Sequence, residues 1–273
     1  MTKMTRIALA ALAVMGATTA MAQSSVTLYG RINTTIENQK ISGQSSATGM
    51  VNNSSRWGVR GTEDLGGGLK AGFILESGFN SDTGTGSGPN GAMTFGRQSE
   101  LNLSGNFGMI RLGNFFPESY FASADYVSMH NHDTGPSSDA LYFDPVWFGK
   151  VGTTNKVAYR TPNMSGFWAE GSVGMHEKVA GTANKNGYDL AANYNNGPLA
   201  LGAGYSNWNS NWQGSLRAAY TFGSFTLGGY YQRNHDANFF GGTALGNRNN
   251  FRLSAMYAMG ASEFHANVGH ANS

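Results

Sequence analysis

Charged side chains at regular spacing are the feature of this sequence that could do chemistry. Between Arg56 and Arg60 stand Trp57 and Val59, so in a β-strand the arginines would share one face and the apolar side chains the other. The same alternation gives a candidate basic wall: Arg31, Arg56, Arg60 and Arg111. Such a wall would act on solutes through its field and not through covalent catalysis.

One connecting segment, Pro117 to Thr154, is long enough to be functional and carries candidate partners for that wall. Its carboxylates are Glu118, Asp125, Asp133, Asp139 and Asp144. It is also rich in Tyr, Phe and Trp, so we expect it to fold inward and pack; the alternative is an external, surface-exposed loop. Acids facing a basic wall would create a transverse field that orients polar solutes and sets ion preference.

Other chemistries have weaker support in the sequence. The run His130 to Asp133 lacks a coordinated ligand set with metal-site spacing, and solvated loop histidines explain it better. The glycines from Gly84 to Gly91 lack the Lys-Ser/Thr of a phosphate-binding loop. Nothing resembles a nucleophile elbow or a catalytic triad. We therefore predict no catalytic residue, no metal site and no cofactor.

The elements that must position these charges are β-strands. Alternating apolar and polar residues recur in thirteen segments of 8–12 residues, a length that matches a tilted strand crossing a bilayer. Short turns rich in Gly and Asn alternate with mostly longer polar connections that we expect to be loops, among them residues 39–53 and 236–248. This pattern predicts an all-β, transmembrane antiparallel β-barrel with one face towards lipid and one towards water. Arg97 breaks the alternation, since in phase with Leu101 it would point outward; a rim position or a β-bulge would accommodate it.

Composition narrows the class further. Charged residues are only 12% of the chain and there is no cysteine. No apolar run is long enough for a membrane-spanning helix. The balance of 18 basic and 16 acidic residues gives no reason to expect a nucleic-acid partner. The competing interpretation is a secreted β-rich binding protein or adhesin, whose strands would bury their apolar faces internally.

The N-terminus has the three parts of a secretory signal. Lys3 and Arg6 precede a short apolar run, and Ala20-Met21-Ala22 is a small-x-small cleavage site. We expect a signal peptide over residues 1–22, cleavage after Ala22, and a single barrel domain over residues 23–273.

Four segments carry a resemblance to the Gram-negative trimeric porins of the β-proteobacterial type. They are "SSVTLYGRIN", "SSRWGVRGTEDLGGGLKAGFILESGFN", "FGRQSELNLSGNFGMIRLGNFF" and "NKVAYRTPNMSGF". The resemblance implies a barrel of 16 strands, a homotrimer in the outer membrane, and an inward constriction loop after the fifth strand. It also implies a lumenal basic ladder at Arg31, Arg56 and Arg60. The function it implies is passive diffusion of ions and small hydrophilic solutes, with outer-membrane lipid and lipopolysaccharide as surroundings and no enzymatic activity.

The chain departs from that family in two places. Asn114 stands after "RLG", where the family often has an Arg, so one basic rung is missing. The chain ends at Ser273 after its thirteenth predicted strand, without the family's terminal aromatic residue. We therefore expect this sequence to be a C-terminally truncated porin that lacks about three strands of the 16.

Overall fold

The computed structural model describes residues 25–40, 43–125, 141–148, 153–178, 185–238 and 244–272. The predicted signal peptide, residues 1–22, lies outside this part of the chain. No helix among the described residues is long and apolar enough to cross a membrane.

Fifteen strands are present in the described residues. They are β1 (Ser25–Arg31), β2 (Thr34–Gln39), β3 (Ala47–Asn52), β4 (Arg56–Gly66), β5 (Leu69–Gly78), β6 (Gln98–Gly105), β7 (Gly108–Asn114), β8 (Lys156–Arg160), β9 (Phe167–Gly174), β10 (Gly187–Asn196), β11 (Leu199–Trp208), β12 (Asn211–Phe222), β13 (Phe225–Asn238), β14 (Ala244–Met259) and β15 (Ser262–Asn272).

Thirteen of these strands form one antiparallel sheet in sequence order, from β1 to β4 and then through to β15. The thirteen strands predicted from the alternation correspond to the thirteen described strands of this sheet, and the hairpin β2–β3 adds two more. Each strand pairs with its neighbours in the chain, and β1 and β15 are the outer strands of the sheet. Short turns with left-handed glycines, such as Gly197 (φ 54°) and Gly223 (φ 58°), close the hairpins at one end.

Two polar segments expected to be loops are instead paired strands. In the first, Gln39 and Ala47–Asn52 belong to the separate hairpin β2–β3; in the second, residues 236–238 extend β13 and residues 244–248 extend β14. The chain leaves the main sheet after Arg31, where the Ser55 hydroxyl accepts from the Asn33 amide and donates to its carbonyl. Backbone pairing overrides the turn preference of the polar residues in both places.

The main sheet exposes its apolar face and buries its polar face, the reverse of what a soluble protein shows. Large apolar side chains are exposed, for example Leu190 at 57% and Leu216 at 64%. Polar side chains on the other face are buried, and Gln213 and Gln232 are 0% exposed. This distribution suits lipid outside and a polar interior, and it argues against the secreted binding protein, whose apolar faces would be buried.

Candidate pore wall and inserted loop

The segment between β7 and β8 lies against the polar face of the sheet. It contains a short helix (Glu118–Tyr120), a π-helical turn (Phe121–Asp125) and a second short helix (Pro145–Phe148). The Arg217 Nε on β12 donates to the Ala122 carbonyl at 2.6 Å. The Gln232 side chain on β13 accepts from the Phe143 amide and donates to its carbonyl. For its described residues, the prediction that this loop folds inward is confirmed.

Two glycines on β11 make room for the inserted loop. A Cβ built on Gly202 would stand 2.0 Å from the Ala122 carbonyl oxygen, and one on Gly204 would stand 2.7 Å from the Ser119 Cβ. The loop backbone therefore approaches the wall more closely than any side chain would permit. Sequence reasoning treated these residues only as part of an alternating strand. The signal that could have singled them out is the run Gly202-x-Gly204, which leaves the inner face of β11 bare.

Asp144 anchors the second half of the loop and is 0% exposed. Its carboxylate accepts hydrogen bonds from five donors: the hydroxyls of Ser119, Tyr142 and Ser206 and the backbone amides of Val146 and Trp147. Burial raises the pKa of Asp144, an effect that these hydrogen bonds oppose. Asp144 was predicted to face the basic wall, but in the structure it holds the loop against β11 through Ser206.

An alternating chain of five charged groups runs from β6 to the root of the loop. Arg111 lies 2.7 Å from Glu100 and 2.9 Å from Glu170. Arg160 continues the chain, 2.8 Å from Glu170 and 2.6 Å from Glu118. Burial raises the pKa of Glu118 to about 7, although the Arg160 guanidinium opposes that rise. Arg111 and Glu118 were both predicted site residues, on opposite walls. In the structure Arg111 pairs with Glu100 and Glu170, and Glu118 pairs with Arg160.

The remaining predicted arginines lie together on β1 and β4. Arg31 and Arg56 are paired across the two strands. The Arg60 side chain is exposed, and its guanidinium stands 5.3 Å above the Tyr29 ring. The Tyr29 hydroxyl donates to Glu76 at 3.0 Å, and the Arg56 Nε lies 3.8 Å from the same carboxylate.

Arg97 belongs to the same group of charges. It immediately precedes β6, outside the regular alternation, and its Nε lies 2.7 Å from the Glu76 Oε1. It is therefore an inner-face residue at the strand end, and no β-bulge is needed to explain it. This contact is one that the alternation alone could not show.

The side chains of three predicted loop acids lie outside the described part of the structure. The backbone of Asp125 ends the π-helical turn, but its side chain is outside what the structure describes, as are Asp133 and Asp139 altogether. The run His130 to Asp133, weighed as a metal site, also lies outside the described residues. Within the described residues, no three His, Asp or Glu side chains group closely enough to hold a metal ion.

Comparison with known proteins gives a consistent result. A family model described as Gram-negative porin matches residues 8–273. The chain is 37% identical over 259 residues to outer membrane porin protein 32 of Delftia acidovorans, covering 85% of this chain and 69% of that protein. It is 36% identical over 242 residues to an outer membrane porin protein of Bordetella pertussis, covering 78% of this chain and 62% of the Bordetella protein.

Solved structures agree with these relatives. An anion-selective porin from Comamonas acidovorans superposes with a TM-score of 0.73 at 29% identity, covering 90% of this chain and 78% of that chain. The Salmonella typhi OmpF structure, at 12% identity and a TM-score of 0.67, shares the fold.

Proposed function

This chain belongs to the Gram-negative porin family and resides in the outer membrane, and from that premise we propose that it contributes the wall and constriction of a passive diffusion channel that prefers anions. The single observation that carries the proposal is the asymmetry of the described charges on the polar face. Arg60 on β4 is exposed, whereas the described loop acids Glu118 and Asp144 are buried against the wall.

The basic side of this asymmetry consists of a compact group. Among the described residues, Arg56 and Arg97 approach the Glu76 carboxylate, and Arg31 and Arg60 lie beside Arg56 on β1 and β4. Four guanidinium groups in this part of the wall place positive charge at the inner face. Positive charge on a pore wall raises the local concentration of small anions in a water-filled channel.

The acidic side is weaker than a count of loop residues suggests. Glu118 is 5% exposed and paired with Arg160, and Asp144 is enclosed by its five donors. Neither carboxylate is available to an ion in the lumen. The sequence alone left the ion preference open, and these placements favour anions. The similarity to an anion-selective porin supports the same direction.

Assembly and surroundings follow the family. We infer a homotrimer whose exposed apolar faces contact lipid or neighbouring copies, and ions and small hydrophilic solutes as the transported species. The family consists of channels, so no covalent chemistry or cofactor enters the proposal.

A planar-bilayer measurement tests the proposal. In a tenfold KCl gradient the protein should give a reversal potential of the sign for chloride preference, and the double variant Arg56→Glu/Arg60→Glu should move it towards potassium preference. The matched control, Arg56→Lys/Arg60→Lys, keeps both charges and should retain the sign. A wild-type channel that prefers potassium, or a double variant with unchanged selectivity, would refute the assignment of these arginines to the constriction.

A further inference from the structure

Arg233 is unusual because it projects from the apolar face of the sheet. On β13, Tyr231, Arg233 and His235 are exposed, whereas the intervening Gln232 and Asn234 are buried on the polar face. Among the described side chains of the main sheet, Arg233 is the one Arg or Lys in the outward phase. A cation on a lipid-facing surface requires an interfacial position and an anionic or aqueous partner.

The position of Arg233 along its strand meets that requirement. It lies eight residues beyond Phe225, which adjoins the short turn. Eight residues correspond to about 26 Å along the strand, or about 20 Å of height at a tilt of about 40°. Beside it, the rings of Tyr205, Trp212 and His235 are stacked at centroid distances of 6.4 and 5.9 Å. Aromatic residues of this kind mark the membrane interface, so the guanidinium stands at headgroup level on the loop side.

An apolar groove of about 500 Å³ begins directly beside this arginine. Its floor is made of small residues on three strands: Ala192, Ala203 and Gly214. Leu190, Leu216 and Tyr231 form its sides. Gly214 is the register partner of Arg233 across β12 and β13, so the groove runs from the guanidinium towards the middle of the sheet.

We propose that the groove and Arg233 together bind a phosphorylated glycolipid of the outer leaflet. One acyl chain would occupy the groove, and the phosphate would accept hydrogen bonds from the planar guanidinium. Asn249 supports that orientation, since its Oδ1 accepts from the Arg233 Nη1 at 3.2 Å and from the Tyr231 hydroxyl at 2.7 Å. A phospholipid offers the same chemistry, but the loop side of the barrel faces the leaflet in which glycolipid predominates.

Binding of bisphosphorylated lipid A to the full-length protein in detergent micelles, followed by native mass spectrometry, tests the site. Arg233→Ala should weaken lipid A binding about fivefold, the effect of one basic group at a membrane surface. Arg233→Lys keeps the charge and should weaken binding less. Gly214→Leu should weaken it at least about tenfold by filling the groove with four carbons. Among the described residues, its Cβ would meet Trp212 alone, at 4.0 Å, so the substitution fits the backbone.

The controls separate lipid recognition from folding and from conduction. Gly49→Leu adds the same side chain in the β2–β3 hairpin, where no atom of the described residues lies within 4 Å of an added Cβ, and should bind like wild type. Because the altered residues lie on the outer face, single-channel conductance and ion preference should stay unchanged, so a failure here leaves the channel proposal intact. Wild-type affinity in Arg233→Ala and Gly214→Leu, or equal affinity for dephosphorylated lipid A or phosphatidylglycerol, would overturn the inference.

Discussion

Asp144 offers the sharpest test of whether the loop is fastened to the wall. Replacing it with Ala removes the acceptor of five hydrogen bonds at a site with no solvent exposure. The hydroxyl donors can turn to other acceptors or to water. The backbone amides of Val146 and Trp147 cannot turn, and a buried amide without an acceptor costs about 1–3 kcal/mol. Asp144→Ala should therefore lose about 2–6 kcal/mol of loop attachment.

The isosteric variant Asp144→Asn separates charge from geometry. Its Oδ1 still accepts from Val146, Trp147 and the Ser206 hydroxyl, and the Ser119 hydroxyl can rotate to accept from the new amide. Because burial already raises the pKa of Asp144, this environment tolerates a neutral group. We expect a loss of about 1 kcal/mol, the net worth of a typical hydrogen bond.

Two measurements follow the loop directly. In a liposome-swelling assay with sugars of increasing size, Asp144→Ala should admit sugars that wild type excludes, and its single-channel current should fluctuate more. Asp144→Asn should resemble wild type in both assays. Wild-type size exclusion, current noise and thermal stability in Asp144→Ala would refute the idea that this carboxylate holds the constriction.

Two further predictions concern the chain of charges at the loop root. Arg111→Leu should lower stability by about 3–5 kcal/mol, because it leaves Glu100 and Glu170 buried without it; the thermal midpoint in detergent should fall, Arg111→Lys should restore part of it, and an unchanged midpoint would contradict the prediction. Burial raises the pKa of Glu118 from 4.5 to about 7, so the folded protein keeps a proton that the unfolded chain releases between those values. The contribution of Glu118 to stability should be greatest below about pH 4.5 and fall by at most about 3 kcal/mol as the pH rises to about 7; wild-type stability should therefore fall more steeply than that of Glu118→Gln over this range, and identical profiles would refute the prediction.

The strand pattern could be predicted because two different solvents act on the two faces. The lipid-facing side favours apolar residues such as Leu190 and Leu216, and the polar interior favours residues such as Gln213 and Gln232. The alternation in the sequence follows from this arrangement. The hairpin β2–β3 escaped prediction because its alternation, with Ile36 opposite Met50, is embedded in polar residues typical of loops.

The sequence predicted some of the residues that belong to the site, but not which charged side chains contact each other. Arg111 was found by its phase, but its partners come from strands whose register the sequence does not display. Glu100 and Glu170 are in the inward phase of their own strands, next to and one beyond the strand that carries Arg111. A search for acids sharing the inward phase on nearby predicted strands would have proposed both.

Ion preference shows why counting charges in a loop is insufficient. Glu118 and Asp144 contribute two negative charges to the formal total, yet each is enclosed by donors that the wall or the loop supplies. A carboxylate enclosed in this way acts on the loop's position far more than on an ion in the lumen, because its field is largely cancelled at short range. In the proposed channel, Arg60, which remains exposed, would act on the ion itself. On this proposal, ion selectivity depends on which charges remain accessible once the loop lies against the wall, and the β11 glycines that permit this contact influence selectivity indirectly.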